Sequence, residues 1–338
     1  MVGGRAYDAA VPPHQPKPHR SPVPPRSREV GVGCVQLRVG RDRTANVEAA
    51  THAIAVAARD GADIVVLPEL FADPYVCQTE SHDAFALAEP LDGPLVASLA
   101  RAAAAAGAVV VASVFERRAA GVYHNTGVVL DADGSLAGIA RKMHIPDDPL
   151  YFEKFYFTPG DAGQAAFRAI DTAAGRLGVL VCWDQWFPEA ARLLALDGAD
   201  LIAVPTAIGW HRHERDTYGD AQHDAWRTIQ RSHAIANGCY LAVANRTGFE
   251  ATPTADASRA AASSAAASSE AASGGIDFWG RSFLVGPDGV ILAEADGEPG
   301  TISGRVSPQL VESTRTGWPF FRDRRIDAYG DLLTRWRQ

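Results

Sequence analysis

The strongest constraint on the fold is an alternation between short apolar runs and longer amphipathic runs along most of the chain. The short runs read as β-strands and the longer runs as helices. Strand-like runs cover 29–39, 63–71, 109–117, 177–183, 200–208 and 240–248, and helix-like runs cover 46–62, 94–108, 188–199 and 223–239. Two predicted hairpins, with Asp133-Gly134 and Asp288-Gly289 at their turns, interrupt the alternation. The pattern therefore predicts an α/β protein in which helices cover mixed sheets, rather than one purely parallel sheet.

Composition and charge narrow the functional classes. Apolar residues make up 47% of the 338 residues and charged residues 21%, which is typical of a globular protein with a sizeable core. The net charge of −8 predicts no nucleic-acid partner, because such a partner requires a clustered basic face. No apolar stretch reaches the ~20 residues that span a bilayer, so no membrane association is expected. The dinucleotide-binding, P-loop and serine-hydrolase motifs are absent from the sequence.

The cysteines indicate the compartment. Cys34, Cys77, Cys182 and Cys239 are widely spaced in a long chain whose N-terminal sequence has no secretory signal. This spacing predicts free thiols in a reducing compartment rather than a disulfide framework, and a cytoplasmic protein is the expectation.

Two segments differ from the rest in composition. Residues 1–28 are rich in proline and arginine, and residues 251–274 consist mainly of alanine and serine. Neither has enough large apolar residues to offset the entropy of ordering, so we expect a disordered tail and a flexible surface insertion. The remaining chain is expected to form one domain over 29–330, followed by a short C-terminal end at 331–338.

Polar residues end three of the predicted strands. Glu69 follows the run Val65-Val66-Leu67-Pro68, Lys142 ends the run beginning at Gly138, and Cys182 ends the run beginning at Val179. Ligand sites in open α/β sheets gather at the carboxyl ends of strands. If these three strands lie side by side, a carboxylate, an ammonium and a thiol converge at one site.

These three groups together could perform nucleophilic catalysis. Glu69 could take the thiol proton of Cys182 and later protonate a leaving nitrogen, while Lys142 and the backbone N–H of Trp183 stabilise a carbonyl oxyanion. The helix that begins near Pro188 would place its positive end near the thiolate. Each residue alone has a more ordinary interpretation: a helix cap or surface acid for Glu69, a solvated strand end for Lys142 and a small buried apolar residue for Cys182.

The flanking sequence resembles the nitrilase (carbon–nitrogen hydrolase) superfamily. LPELF around Glu69, RKMHIPDD around Lys142 and VCWDQWFPE around Cys182 are similar to its Glu-Lys-Cys motifs in order and approximate spacing, over about 29–330. The resemblance implies an αββα sandwich that pairs with a second subunit into an αββααββα core, often in larger homo-oligomers, with no metal and no organic cofactor. It also implies a second glutamate, at Glu153, that orients the lysine and the substrate.

Three longer segments are similar to the subgroup that hydrolyses N-carbamoylputrescine. They are KMHIPDDPLYFEKFYFTPGD, CWDQWFPEAARLLALDGADLIAVPTAIG and GWPFFRDRRIDAY. The resemblance implies cleavage of a small-molecule ureido substrate through a cysteine thioester, which yields putrescine, ammonia and carbon dioxide in polyamine biosynthesis. The insertion at 251–274 departs from the subgroup, whose members have a shorter segment there.

Charge near the cysteine bears on the choice of substrate. Related enzymes that act on N-carbamoyl amino acids carry an arginine shortly after the cysteine, whereas this chain has Asp184, Gln185, Trp186 and Glu189. Asp184, Glu189 and Trp186 are therefore predicted to bind a cationic amine. The alternative is that the two acids only cap and orient the following helix.

Other functions remain open at this stage. They are an ω-amidase, a β-ureidopropionase and a non-catalytic binding protein with the same fold. His211, His213 and His223 lack the spacing of a zinc site, so no metal is predicted.

Overall fold

The structure is a computed structural model that describes residues 28–253 and 274–337. Nearly all of the predicted tail at 1–28 and of the predicted insertion at 251–274 lies outside these residues, as does Gln338.

Within the described ranges the chain forms two six-stranded sheets and one three-stranded sheet. The first sheet contains β1 (Val30–Gln36), β2 (Ile64–Val66), β3 (Val109–Ala119), β4 (Val122–Leu130), β5 (Leu136–Arg141) and β15 (Gly300–Val306), in the order β15-β1-β2-β3-β4-β5. The second contains β6 (Ile170–Thr172), β7 (Gly175–Val179), β8 (Leu201–Pro205), β10 (Tyr240–Ala244), β13 (Phe283–Val285) and β14 (Ile291–Glu294), in the order β14-β13-β10-β8-β7-β6. The small sheet contains β9 (Gly209–His211), β11 (Thr247–Ala251) and β12 (Gly275–Trp279), in the order β11-β12-β9.

Six helices accompany the sheets in the described part of the chain. They are α1 (Arg43–Arg59), α2 (Pro94–Ala106), α3 (Glu153–Tyr156), α4 (Pro188–Leu196), α5 (Arg212–Asn237) and α6 (Pro308–Gly317). Both large sheets contain parallel and antiparallel pairs. In the first, β1, β2 and β3 run parallel and β4 and β5 pair antiparallel. In the second, β7, β8 and β10 run parallel and β13 and β14 pair antiparallel. The predicted mixed sheets are confirmed.

The two large sheets pack face to face. Their inner faces share one apolar core, in which Val66 and Val111 of the first sheet meet Val179 and Ala203 of the second. The alternate strand residues point outward, since side chains alternate between the faces of a strand. Val65 packs under α1 and α2, and the outer face of the second sheet packs under α4 and α5. The layers are therefore helices, sheet, sheet and helices, which confirms the predicted αββα sandwich.

A glycine permits close packing of the two large sheets near the site. A Cβ atom at Gly127 in β4 would lie 2.9 Å from Val179 Cγ1 and 3.3 Å from Val181 Cγ2. A side chain at this position would therefore require Val179 or its surroundings to shift. Asn125 precedes Gly127 by two positions and therefore points from the same face of β4, toward the second sheet.

Several predicted boundaries differ from the structure. Helix α1 begins at Arg43 rather than 46, because the Asp42 side chain accepts hydrogen bonds from the backbone N–H groups of Thr44 and Ala45. Helix α5 begins at Arg212 rather than 223. The strand predicted over 177–183 ends at Val179, and a 3-10 turn at Cys182–Trp186 follows it. The short strands β6 and β9, the half-exposed β15 and the helix α6 were not predicted.

Candidate active site

The predicted strand ends meet across the two sheets rather than within one sheet. Glu69 follows β2 and Lys142 follows β5, but β3 and β4 lie between those strands. Cys182 follows β7, which belongs to the opposite sheet. The three strands therefore do not lie side by side. The residues nevertheless converge, because face-to-face packing brings the strand ends of both sheets to one edge of the sandwich.

A buried ion cluster forms the centre of the site. The Lys142 ammonium lies 2.9 Å from Glu69 Oε1 and 2.7 Å from Glu153 Oε2, and the three side chains are at most 1% exposed. Burial alone would lower the pKa of Lys142, but the carboxylates of Glu153 and Glu69 outweigh burial and hold that pKa well above its ordinary value. Lys142 therefore remains a fixed positive charge inside the protein.

Neutral donors hold the two carboxylates in place. Asn125 Nδ2 donates to Glu69 Oε1 at 2.6 Å, and Ser113 Oγ in turn donates to Asn125 Oδ1 at 2.6 Å. The Tyr75 hydroxyl donates to Glu153 Oε1 at 2.6 Å. The second oxygen of Glu69, Oε2, is buried and has no hydrogen-bond partner among the described residues. One oxygen of Glu69 is thus fixed, while the other is free to accept a proton.

Burial also perturbs the second glutamate. Burial raises the pKa of Glu153 to about 7. Lys142 lowers this pKa and Glu69 raises it, but burial has the largest effect. The two carboxylates share one ammonium, so they repel each other whenever both are ionised.

Cys182 sits at a strained point of the backbone. Its φ of +42° lies in the left-handed region, and it opens the turn Cys182–Trp186 between β7 and α4. The residue is 7% exposed, and its sulfur lies 3.9 Å from the carbonyl oxygen of Ala207. Burial and then Glu69 raise the pKa of the thiol, whereas Lys142 and a hydrogen bond from Thr206 lower it. The balance keeps the thiol neutral at rest, so a base is required to activate it.

A buried arginine fixes the backbone around Glu69. Arg246 is fully buried, and its guanidinium donates to the carbonyl oxygens of Glu69 at 3.0 Å, of Leu70 and of Asp73 at 3.0 Å. Glu250 balances its charge at 2.8 Å. Leu70 has a φ of +48°, and the arginine ties together the carbonyls of this strained turn. Sequence reasoning missed Arg246, although a charged residue two positions after the apolar run at 240–244 was the available signal.

The predicted substrate-binding residues occupy different surroundings. The Asp184 carboxylate is buried and accepts from the backbone N–H groups of Met143 and His144, and it lies 2.7 Å from His144 Nδ1. Asp184 therefore joins the cysteine turn to the segment after Lys142. Glu189 is exposed in the first turn of α4, and Trp186 is half-buried. Their predicted contact with substrate stays a prediction, as does the oxyanion role of Trp183.

Two wider features of the chain bear on its partners. Over residues 28–253 and 274–337, no group of three or more His, Cys, Asp or Glu side chains could hold a metal ion. In the same residues, no helix is sufficiently long and apolar to cross a membrane.

All four cysteines are buried and unpaired, so the predicted free thiols are confirmed.

The fold and the site define a class of hydrolase. Residues 31–316 match the carbon–nitrogen hydrolase family, and the chain belongs to this family. It is accordingly a hydrolase that acts on linear amide C–N bonds.

Known relatives are similar over nearly the whole chain. An Arabidopsis thaliana protein named N-carbamoylputrescine amidase is 40% identical over 311 residues, which cover 91% of this chain and 97% of the plant protein. The citrullinase of Francisella tularensis is 35% identical and covers 91% of this chain and 99% of its own length. The crystal structure of a carbon–nitrogen hydrolase from Helicobacter pylori superimposes with a TM-score of 0.82 at 42% identity, covering 92% of this chain and 100% of that chain.

The ion cluster predicts a pH-dependent loss of stability when its cation is removed. We expect Lys142→Met to lower the free energy of unfolding by about 3–5 kcal/mol above pH 7, because two buried carboxylates lose their only shared cation. Without Lys142 the pKa of Glu153 rises beyond its present value of about 7. The folded protein then binds a proton that the unfolded chain releases, so stability is retained in acid and lost as the pH rises through that pKa. Urea unfolding below and above pH 7 measures the difference.

The matched control is Lys154→Met. Lys154 is 60% exposed and lies 3.8 Å from Asp147, so its removal is expected to change stability by less than about 1 kcal/mol at either pH. Equal stability of the two variants above pH 7 would contradict a cluster held together by Lys142.

Proposed function

We propose that the chain hydrolyses N-carbamoylputrescine to putrescine, ammonia and carbon dioxide. The observation that carries the proposal is the unequal hydrogen bonding of the two Glu69 carboxylate oxygens. Its Oε1 is fixed by Lys142 and Asn125, while its buried Oε2 has no partner among the described residues. Such a group can take a proton from Cys182 without losing its own position.

In the first half of the proposed reaction, Glu69 Oε2 takes the thiol proton and the sulfur of Cys182 attacks the ureido carbon. The carbonyl oxygen becomes an oxyanion, which the Lys142 ammonium and the backbone N–H of Trp183 stabilise. Glu69 then returns the proton to the leaving nitrogen, the C–N bond breaks, and a thioester remains on Cys182. Glu153 positions Lys142 through two contacts of 2.9 and 2.7 Å.

In the second half, a water molecule attacks the thioester carbon, and Glu69 accepts one of its protons. The tetrahedral intermediate collapses, the C–S bond breaks, and the proton on Glu69 returns to the sulfur. The released carbamate breaks down to carbon dioxide and the remaining nitrogen product. One water molecule is consumed, and the three residues return to their starting states.

Charge supports a cationic substrate. When Glu69 and Glu153 are both ionised, their two negative charges exceed the single ammonium of Lys142, and the site is then net negative while Cys182 is a neutral thiol. Glu214, in the first turn of α5, adds another acid near the site. Burial raises the pKa of the Tyr151 hydroxyl most, and the charges of Cys182 and Glu214 raise it further, so both groups act on the same hydroxyl. A net negative pocket attracts an ammonium and repels a carboxylate. The relatives named N-carbamoylputrescine amidase and citrullinase both act, by their names, on ureido compounds.

A substrate panel tests the proposal. We expect ammonia release from N-carbamoylputrescine with a kcat/KM at least about tenfold above that for citrulline, N-carbamoyl-β-alanine or an ω-amide, because each of the others carries a carboxylate. Cys182→Ala provides the inactive blank. Cys239→Ala, a buried cysteine on the far side of the second sheet, is the matched control and should remain active. A preference for any of the three acids would overturn the substrate assignment.

We also propose that copies of the chain associate. Large apolar side chains are exposed along the C-terminal segment, namely Trp318, Phe320, Ile326, Leu332, Leu333 and Trp336. Exposed apolar surface of this extent is typical of interaction sites. Sedimentation velocity should report a dimer or a larger assembly, and a single monomeric species would contradict the proposal.

A further inference from the structure

We propose that Asp184 and His144 form a positioning pair for the active site. The pair holds the segment after Lys142 against the turn that carries Cys182. Asp184 thereby sets the position of the cation relative to the nucleophile and does not bind the substrate. The inference rests on the roles proposed for Lys142 and Cys182, and it gives a function to two residues that take no part in the proposed steps.

The Asp184 carboxylate accepts backbone hydrogen bonds just beyond the end of β5, which ends at Arg141. The N–H groups of Met143 and His144 donate to Asp184 Oδ1 at 3.2 and 2.9 Å, and the Met143 N–H also lies 3.3 Å from Oδ2. Asp184 itself stands two positions after Cys182, in the turn that follows β7. Because β5 and β7 belong to different sheets, these bonds connect the chain that leaves the first sheet with the turn that leaves the second.

The imidazole of His144 makes a second connection to the same turn. Its Nδ1 lies 2.7 Å from Asp184 Oδ1, and because a carboxylate can only accept, Nδ1 carries the proton and donates it. The ring lies flat on Phe187, with the ring centroids 3.6 Å apart and the planes 6° from parallel. Phe187 directly follows the turn Cys182–Trp186. One segment of the second sheet therefore holds the His144 ring both at its edge and at its face.

Asp184 has little capacity left for a substrate ammonium. The residue is 3% exposed, and both of its carboxylate oxygens face donors of the protein. A carboxylate in these surroundings gains a further cation only by weakening bonds that it already makes. The contacts thus favour the positioning role over the predicted contact of Asp184 with a cationic amine.

The pair relates the two groups that are proposed to stabilise the oxyanion. The Lys142 backbone N–H donates to the carbonyl oxygen of Asn125 at 2.9 Å, which anchors the lysine to the first sheet. The backbone N–H of Trp183 belongs to the second sheet's turn and lies between Cys182 and Asp184 in the sequence. A loss of the Asp184 bonds would let the lysine segment and this turn move relative to each other. A displacement of about 1 Å at reacting groups can cost about a hundredfold in rate.

The first test separates positioning from substrate binding. Asp184→Asn replaces one acceptor oxygen by a donor and removes the charge that strengthens the remaining bonds. We expect kcat to fall about tenfold to hundredfold, by the same factor for every member of the substrate panel that the wild type hydrolyses, while KM changes less than about threefold. The matched control is Asp133→Asn in the exposed turn between β4 and β5, which should retain wild-type kcat. Wild-type kcat in Asp184→Asn, or a loss confined to the KM of N-carbamoylputrescine, would overturn the proposal.

The second test asks which contact of His144 transmits the effect. His144→Asn keeps an N–H donor near the place of Nδ1 but loses the ring, whereas His144→Phe keeps the ring against Phe187 and loses the donor. We expect kcat of His144→Asn to stay within about threefold of the wild type and kcat of His144→Phe to fall about tenfold. The side chain is 31% exposed, so both variants are expected to fold, and urea unfolding checks this. Equal kcat values for the two variants would contradict the assigned hydrogen bond.

A double variant tests whether the two residues act as one unit. If His144 acts through Asp184, His144→Phe combined with Asp184→Asn should lose no more than about threefold relative to Asp184→Asn alone. Losses that multiply would mean that the residues act independently, which would overturn the positioning pair.

The readout separates this inference from the proposed substrate. The preference of the wild type within the panel decides the substrate, whereas the ratio of variant to wild-type kcat decides the role of the pair on whichever member is hydrolysed fastest. A wild-type preference for one of the acids, together with the expected kcat ratios, would refute the substrate and retain the pair. Hydrolysis of N-carbamoylputrescine at wild-type kcat by Asp184→Asn would retain the substrate and refute the pair.

Discussion

The ammonium of Lys142, buried between two carboxylates, is the interaction on which the site depends. A buried charge is costly unless it is paired and hydrogen-bonded, and two buried acids cannot both ionise cheaply without a shared cation. Lys142, Glu69 and Glu153 therefore stabilise one another, and Asn125 and Tyr75 complete their hydrogen bonds. The result is a charge pattern set before any substrate arrives, which is the condition for electrostatic catalysis.

The sandwich places this cluster against the nucleophile. Two sheets that pack through Gly127 bring the ends of β2, β5 and β7 to one edge, although the strands belong to different sheets. Leu70 and Cys182 both adopt left-handed backbone conformations there. Such strain persists only where the surroundings enforce it. Around Leu70 the enforcing groups are Arg246 and the carbonyls that it holds. Around Cys182 they are the hydrogen bonds of the buried side chains of Asp184 and Gln185.

The sequence identified the charged residues of the cluster but not the residues that hold them in place. Glu69 and Lys142 were recognisable because each polar residue follows an apolar strand, and Glu153 was expected only from the family resemblance. Arg246 and Asn125 could not be assigned, since their roles come from contacts between strands far apart in the sequence. The residue pattern predicted mixed sheets under helices, and the resemblance supplied the four layers. Three-residue strands such as β6 and β9 are too short for periodicity to reveal.

The central claim is that Cys182 carries the reacting carbon during turnover. The most direct test is rapid acid quenching of the enzyme with N-carbamoylputrescine labelled at the ureido carbon, followed by mass spectrometry of its peptides. The account predicts label on the peptide that contains Cys182, as a carbamoyl group if putrescine leaves first or an aminobutylcarbamoyl group if ammonia leaves first. Label on a different side chain, or continued turnover of the labelled substrate by Cys182→Ala, would contradict the account.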